Sequence, residues 1–387
     1  MHKVGRGAAT PPFFVMDVIS SANARQAALP ADAPRVIRME VGQPGTGAPA
    51  GALRAAMDAL RSGDALGYTE SLGRKSLRQR IAAHYRAWYG LTIPLERVAV
   101  TVGASAAFPL AFLAAFDPGD RIALVSPFYP PYVNILTALG MTPVILEAGA
   151  ATRFQPTVAM LEALDAPPQG LIVASPSNPA GTMLHPEELA AIAAWCDAAG
   201  VRLISDEIYH GLNYESPITT SAALSPHAIV VNSFSKYFSM TGWRIGWMVL
   251  PEDLVRPVER LAQNLFISAP CISQIAAEAA FDCHDELQAN VARYRRSRDH
   301  LLVALPAAGF DRLSPAEGAF YLFANIGGMS NDSVAFCARM LDQAGVAATP
   351  GVDFDHVRGA QFLRFSYCGL EAQMHDAAAR LQAWRAR

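Results

Sequence analysis

Between residues 117 and 232, short apolar segments alternate with segments of helical length, and this alternation limits the possible folds more than any other feature. We predict strands at 121–125, 142–146, 170–174, 201–205 and 228–232, and helices at about 131–139, 157–164 and 186–199. Continuous apolar strands are typical of a sheet that is covered on both faces. Strands that alternate with helices predict a mainly parallel sheet.

The flanking regions predict a second, smaller domain. The 387 residues are 52% hydrophobic and 17% charged, which is enough apolar material for two domains. After residue 250, long helical stretches are followed by strands and helices without a βαβ rhythm. We therefore expect an α/β fold with a large sheet domain at 49–280 and a small α+β domain at 281–387. Residues 1–48 would form an N-terminal arm and part of the small domain.

Charge and cysteine content exclude several classes of partner. The net charge of −3 and the lack of a polybasic run give no reason to expect nucleic acid. No uninterrupted apolar segment has the length of a membrane span or a signal peptide, so we expect no membrane partner. Five scattered cysteines without a CxxC pair predict no metal site and free thiols in a reducing cytoplasm.

Polar and aromatic residues follow the predicted strands directly. Ligands of parallel sheets bind at the carboxyl ends of the strands. A further strand is predicted at 97–102. The segments that follow the strands at 97–102, 121–125, 170–174, 201–205 and 228–232 are 103–105, 126–129, 175–181, 206–209 and 233–236, respectively. We expect these segments to meet at one edge of the sheet and to form a binding site.

Lys236 is the centre of this predicted site. It lies between two serines in an apolar region, and burial would lower the pKa of its amine. A neutral amine can form a Schiff base with a carbonyl compound. Nearby serines, Arg244 and the strand–glycine–helix junction at Gly103 could hold a phosphate. An amine beside a phosphate seat suggests pyridoxal phosphate, although Lys236 could also be a lysine that reaches solvent from the end of a core strand.

Four motifs resemble those of the fold-type-I pyridoxal-phosphate enzymes, most closely the class I/II aminotransferases of the aspartate aminotransferase superfamily. They are SPSNPAG at 175–181, DEIY at 206–209, SFSK at 233–236 with MTGWRIG at 240–246, and FLRFS at 362–366. The resemblance covers nearly the whole chain. It implies a transaminase that moves an amino group from an L-amino acid to a 2-oxo acid by ping-pong Schiff-base chemistry. Lys236 would form the Schiff base with the cofactor and shuttle protons.

The resemblance also implies roles around the cofactor ring. Asp206 would lie against the pyridine nitrogen and keep the ring electron-withdrawing. Tyr209 and Asn178 would donate hydrogen bonds to the phenolate oxygen. Tyr129 would stack on the ring face, and Phe128 and Tyr132 are alternatives for that role.

The cofactor phosphate and the substrate carboxylate have separate implied ligands. The backbone N–H groups of Ala104 and Ser105 would bind the phosphate. The guanidinium of Arg244 would also bind it, and so would the hydroxyl groups of Ser105, Ser233 and Ser235. Arg364 would bind the substrate carboxylate bidentately, near Asn178. Gly42 would let that carboxylate approach the backbone.

Tyr68 matches a tyrosine that reaches the phosphate from the neighbouring subunit in this family, so the resemblance implies a homodimer with shared sites.

Relatives that act on dicarboxylic acids can carry a second arginine, whereas the segment 263–267 has none. The arm carries Phe13, Phe14, Val15 and Ile19, which could lie on this subunit's own cleft or on a partner. We therefore expect a neutral or aromatic amino donor.

Two alternatives remain at this point. A lyase or another enzyme that forms a carbanion at Cα would use the same lysine, aspartate and arginine. The second alternative is a non-catalytic sensor, in which a domain that binds the cofactor is fused to a DNA-binding module. However, no segment of helix-turn-helix size precedes Val36.

Overall fold

The computed structural model describes residues 2–386, except for the side chains of Arg6 and Ala9. The α-helices are α1 (Phe14–Ala28), α2 (Ala50–Arg61), α3 (Lys75–Tyr89), α4 (Ala104–Ala115), α5 (Pro131–Ala138), α6 (Val158–Glu162), α7 (Pro186–Ala199), α8 (Glu252–Leu265), α9 (Cys271–Ala280), α10 (His284–Ala307), α11 (Ser333–Ala344) and α12 (Glu371–Arg385). The strands are β1 (Ile37–Arg38), β2 (Val98–Thr101), β3 (Arg121–Ser126), β4 (Thr142–Glu147), β5 (Gly170–Ala174), β6 (Arg202–Asp206), β7 (Ile229–Ser233), β8 (Gly246–Val249), β9 (Tyr321–Asn325), β10 (Val346–Ala347), β11 (Thr349–Pro350) and β12 (Phe362–Ser366).

The predicted mainly parallel sheet is confirmed. It has seven strands in the order β2-β8-β7-β6-β5-β3-β4. Strands β3 to β7 pair in parallel, whereas β8 is antiparallel to both of its neighbours, β2 and β7. The sequence analysis does not identify β8 as a strand, because its residues read only as the apolar flank of the lysine motif.

The sheet is apolar on both faces because helices cover both. Along β6, Leu203 belongs to the core cluster that includes Leu189 and Ile192 of α7. Its neighbour Ile204 belongs to the cluster beneath α4 and α8 on the opposite face. Each such buried side chain contributes about 1.5–3 kcal/mol.

The last third of the chain builds smaller sheets together with the N-terminal strand. Strand β12 lies between β11 and β9 and is antiparallel to both. Strand β1 pairs in parallel with β10, so the chain before α2 joins the C-terminal part. Helices α10 and α12 pack on each other beside these sheets.

The alternating segment 36–41 and the segment 318–324 also predict strands, and both strands are shorter in the structure. Only Ile37 and Arg38 of the segment 36–41 are paired as a strand. Strand β9 begins at Tyr321 instead of at 318, because Ala319 has a φ of 56°, outside the extended region. The five cysteines are free. Within residues 2–386, no helix combines the length and apolar character needed to cross a membrane.

Candidate active site

A cavity of about 460 Å³ opens at the carboxyl edge of the large sheet. All five segments that follow the predicted strands contribute residues to it, and so do the arm and the small sheets. Of the thirteen residues that the sequence places in the site, twelve line the cavity, and only Tyr68 does not. Distant segments of the chain meet there: Lys236 and Gly42, for example, are 194 positions apart and share a hydrogen bond.

Lys236 is the lysine whose side chain lines the cavity. The chain has three lysines, and the other two, Lys3 and Lys75, are exposed. Its Nζ donates a hydrogen bond of 2.6 Å to the carbonyl oxygen of Gly42. Burial lowers the pKa of the Lys236 amine to about 8. A large fraction of this amine is therefore neutral near pH 8 and is available as a nucleophile.

Asp206 ends β6 with its carboxylate buried at the cavity. One oxygen accepts from the N–H of Ile208 at 3.2 Å, and the other accepts from the hydroxyl of Tyr132. Burial raises the pKa of Asp206 to about 6, although these hydrogen bonds and Lys236 oppose the rise. A buried carboxylate of this kind suits a positively charged ring nitrogen as its partner.

The three aromatic candidates for the ring face lie in different places. Tyr129 lines the cavity with its ring edge-on to Phe13, 5.9 Å between centroids. Tyr132 also lines the cavity, but its hydroxyl is bound to Asp206. Phe128 packs against His356 and does not line the cavity. Tyr129 is therefore the candidate that lines the cavity without a hydrogen bond to Asp206.

One end of the cavity is suited to a phosphate. It lies at the N-terminus of α4, where the first N–H groups have no intrahelical partner. Arg244 Nη2 donates to Ser105 Oγ at 3.2 Å, and the hydroxyl groups of Ser233 and Ser235 are 3.0 Å apart. Gly103 has a φ of 70°, and a Cβ there would lie 2.7 Å from Arg244 Nη2. The glycine thus lets the arginine approach the helix end closely.

The other end is suited to a carboxylate. Arg364 is 3% exposed and donates to Asn178 Oδ1 at 2.7 Å, to the carbonyl of Glu40 at 2.5 Å and to Thr349 Oγ1 at 3.2 Å. A guanidinium has five N–H groups, so these three bonds leave two free, and its Nε has no partner within residues 2–386. A buried donor without a partner is costly, and a bound carboxylate would satisfy it.

Tyr321 is a cavity residue that the sequence analysis missed. Its hydroxyl lies 2.8 Å from the hydroxyl of Tyr209, and the guanidinium of Arg364 lies 4.4 Å from its ring centroid. The register of β12 and β9 opposes Ser366 to Tyr321, so Tyr321 and Arg364 share one face of that sheet. Only this pairing, which the sequence does not specify, could have identified Tyr321.

The N-terminal arm covers this subunit's own cavity, which is one of the two expected placements. Phe13, the residue before α1, lines the cavity together with Val15, Met16 and Ile19 of the helix. The N–H groups of Phe14 and Val15 donate to the two carboxylate oxygens of Asp353, at 3.1 and 3.2 Å. The mouth of the cavity is therefore apolar.

These residues fit pyridoxal phosphate. The cavity offers an amine for its aldehyde, a buried carboxylate for its ring nitrogen and unpartnered backbone N–H groups for its phosphate. Among residues 2–386, no group of three or more histidine, cysteine or acidic side chains has the arrangement of a metal site. The chemistry of the donors thus matches the organic cofactor that the motifs imply.

Comparison with solved structures supports this assignment. The chain superimposes on the crystal structure of an aminotransferase from Mycobacterium tuberculosis with a TM-score of 0.96 and 47% identity, over 99% of both chains. Its TM-score with the aspartate aminotransferase of Thermus thermophilus in complex with maleate is 0.91 at 30% identity, over 99% of this chain and 100% of the other.

Sequence relatives lead to the same family. The chain is 47% identical to the valine–pyruvate aminotransferase of Mycobacterium tuberculosis over 99% of this chain and 98% of that protein. It is 33% identical to the aspartate/prephenate aminotransferase of Thermus thermophilus, over 89% and 90% of the two chains. The family model for aminotransferase class I and II matches residues 34–381. The chain belongs to this family of pyridoxal-phosphate-dependent enzymes and is an aminotransferase that transfers an amino group from an amino acid to a 2-oxo acid.

Proposed function

We propose that the amino donor is a neutral L-amino acid with an aliphatic or aromatic side chain. The observation that carries this proposal is the set of charged residues around the cavity. Within residues 2–386 these are Asp206, Lys236, Arg244 and Arg364. Each of them has a proposed role toward the cofactor or the α-carboxylate, so this subunit's own cavity lining leaves no cation for a second substrate carboxylate. The rest of the mouth, including the arm, is apolar.

The activity for which a relative is named narrows the choice of amino donor. The M. tuberculosis relative is named for valine and pyruvate, and it shares 47% of its residues with this chain. A branched aliphatic side chain of the substrate would lie against Val15, Met16 and Ile19 of the arm. These contacts would remove its apolar surface from water, and the side chain needs no polar partner. We propose valine and pyruvate as the first donor and acceptor to test.

We propose that Lys236, Asp206 and Tyr209 carry the chemistry. When bound, pyridoxal phosphate supplies an aldehyde that condenses with amines and a ring that stabilises negative charge at Cα. Lys236 Nζ removes the proton from the donor's Cα and delivers it to the carbon that was the cofactor's aldehyde, and it moves a proton in the reverse direction when the 2-oxo acid is aminated. Asp206 keeps a proton on the ring nitrogen, while Tyr209 and Asn178 donate to the cofactor's phenolic oxygen.

The remaining contacts hold the two ligands in place. We propose that Ala104 and Ser105 bind the phosphate through backbone N–H groups, assisted by the hydroxyl groups of Ser105, Ser233 and Ser235 and by Arg244, and that Tyr129 stacks on the ring. Arg364 would take the substrate carboxylate through its free N–H groups beside Asn178 and Gly42. The arm would exclude water from the reacting atoms.

A half-reaction screen tests the donor proposal. The holoenzyme is mixed with each common amino acid, and the cofactor's absorbance reports its conversion to the amine form. We expect valine and other neutral apolar donors to react at least about tenfold faster than aspartate, because an unpaired second carboxylate costs well over 1.4 kcal/mol. Aspartate as the fastest donor would refute the proposal. Release of ammonia and a 2-oxo acid without an acceptor would indicate additional lyase activity.

We also propose a homodimer in which Tyr68 reaches the phosphate of the partner subunit. Tyr68 is 84% exposed and lies outside its own cavity. Large apolar side chains are also exposed at Leu60 of α2, at Leu265 at the end of α8 and at Ile267 beyond it, which is typical of an interface. Mixing inactive Tyr68→Ala and Lys236→Ala subunits tests the shared site. Hybrid dimers should regain activity at one of their two sites, whereas independent sites would give none.

The domain boundaries and the location remain proposals. We propose a large domain at 49–280 and a small domain at 281–387 that includes part of 1–48, and the pairing of β1 with β10 supports the last point. Limited proteolysis that cuts first near residue 281 would support the division.

Free thiols support a cytoplasmic location, which fractionation of the source cells would test.

A further inference from the structure

Tyr321 contacts groups at both functional ends of the cavity. Its side chain is fully buried, and it touches the proposed donor to the cofactor oxygen, Tyr209, and the proposed carboxylate ligand, Arg364. It also fills the space in front of Gly42, where a Cβ would lie 1.7 Å from the Tyr321 hydroxyl. The carbonyl of that same glycine accepts the hydrogen bond of Lys236.

We propose that Tyr321 is a positioning residue that serves the cofactor through its hydroxyl and the substrate carboxylate through its ring. The inference rests on the roles proposed above for Tyr209 and Arg364. Its two parts depend on different atoms of one side chain, so substitutions can separate them.

The hydroxyl part follows from counting hydrogens. Burial raises the pKa of Tyr321 to about 12 and raises that of Tyr209 as well, so each keeps one hydrogen at neutral pH. A tyrosine hydroxyl donates one hydrogen bond and accepts others. If Tyr209 gives its hydrogen to the cofactor oxygen, the 2.8 Å bond between the tyrosines must use the hydrogen of Tyr321. Tyr321 then polarises Tyr209 and makes it a stronger donor.

The ring part follows from the position of the guanidinium. The Cζ of Arg364 lies 4.4 Å from the Tyr321 ring centroid and 4.7 Å from that of Phe354. These aromatic contacts and the bond to Asn178 hold the guanidinium plane before substrate arrives. The Tyr321 hydroxyl makes no hydrogen bond to Arg364, so a phenylalanine would keep this support.

Two variants of the holoenzyme test the two parts. In Tyr321→Phe, the pH midpoint of the cofactor's absorbance change should rise by about half a unit, because a weaker donor stabilises the phenolate less. The dissociation constant of a monocarboxylate competitive inhibitor should stay within about twofold of the wild-type value. In Tyr321→Leu, the same constant should also rise by about fivefold, because the ring support is lost.

Three comparisons make the result decisive. Tyr367→Phe changes a fully buried tyrosine outside the cavity and should leave both readouts unchanged. If Tyr209→Phe shifts the midpoint but Tyr321→Phe does not, the proposal for Tyr321 is overturned and the role of Tyr209 stands. If Tyr209→Phe has no effect, the proposed role of Tyr209 fails first, and the relay through Tyr321 falls with it. Equal weakening of inhibitor binding in Tyr321→Phe and Tyr321→Leu would overturn the ring part.

Discussion

The cofactor end and the substrate end of the cavity are built in different ways. The cofactor end comes from loops that follow neighbouring strands of one large sheet, so its residues inherit their positions from a single buried framework. The substrate end is assembled from segments far apart in the chain: helix α1, Gly42, Tyr321 on β9 and Arg364 on β12.

The two ends also differ in polarity and in attachment. The cofactor end holds Lys236, Asp206 and Arg244, each with polar contacts inside the cavity wall. The arm at the substrate end is apolar and is held at its N-terminus by two hydrogen bonds to Asp353. Changes at the cofactor end should therefore abolish the reaction, whereas changes in the arm should alter which substrate is used.

Lys236→Ala should give the largest effect and should abolish the reaction without preventing cofactor binding. General acid–base catalysis alone contributes about 10²–10⁴-fold, and the covalent link to the cofactor is lost as well, so we expect a decrease of at least about 10⁴-fold. Single-turnover conversion of the cofactor by valine measures this loss.

Lys75→Ala is the matched control, because Lys75 is exposed on α3 and should be replaceable without loss. Borohydride reduction of the wild-type holoenzyme followed by peptide mapping should label Lys236 alone. A label on Lys3 or Lys75, or full activity in Lys236→Ala, would contradict the central role of Lys236.

Arg364→Gln should weaken substrate use by about 10²–10³-fold in kcat/KM, since charge-assisted hydrogen bonds to a carboxylate contribute about 1.5–3 kcal/mol each. The loss should affect all amino acids alike, because each carries the same α-carboxylate. Steady-state kinetics with valine and with a second donor measure it, and Arg296→Gln, on the solvent-facing side of α10, is the control. A loss confined to one donor would instead place Arg364 at the side-chain pocket.

The same contrast explains how much the sequence predicts. The strands of the large sheet are local patterns, and the rule that ligands bind at their carboxyl ends places Lys236, Asp206 and Asn178 together. The sequence analysis missed β8, because its four residues form one apolar run with their neighbours. The large domain is thus predictable because its elements and its site follow one repeated unit.

The substrate end is less predictable because its contacts are between distant segments. The anchor of α1 is Asp353, 339 residues away from Phe14 in the chain. Tyr321 meets Arg364 only through the register of two antiparallel strands, and no local pattern sets that register. The arm's apolar residues predict that it covers a cleft, but its own subunit and a partner remain equal choices until the fold is known.

Ile19→Arg should change the preference between amino donors without abolishing the reaction. Ile19 is half-buried at the mouth of the cavity, and an arginine there would supply the missing cation for an acidic side chain. We expect the ratio of kcat/KM for aspartate to that for valine to rise about tenfold, which corresponds to about 1.4 kcal/mol.

Val18→Arg is the control for this change, because Val18 lies on the same helix but lines a different groove. It should leave the ratio unchanged. If both variants change the ratio equally, the effect comes from general charge or from loosening of the arm, and the proposed position of Ile19 beside the substrate side chain is wrong.

The pH dependence of cofactor capture should give the smallest effect and tests the cofactor end in the apoenzyme. Only the neutral amine of Lys236 attacks the aldehyde, and burial lowers its pKa to about 8. The neutral fraction, and with it the rate of covalent capture measured by stopped-flow absorbance, should rise about fivefold from pH 7 to pH 8 and level off above about pH 9. An exposed lysine has a pKa near 10.4, so its rate would rise about tenfold per pH unit over this whole range. A rate that still climbs about sevenfold between pH 9 and pH 10, as expected for a pKa near 10.4, would show that the cavity does not tune the pKa of Lys236. The cofactor end would then lack the electrostatic specialisation that distinguishes it from the arm.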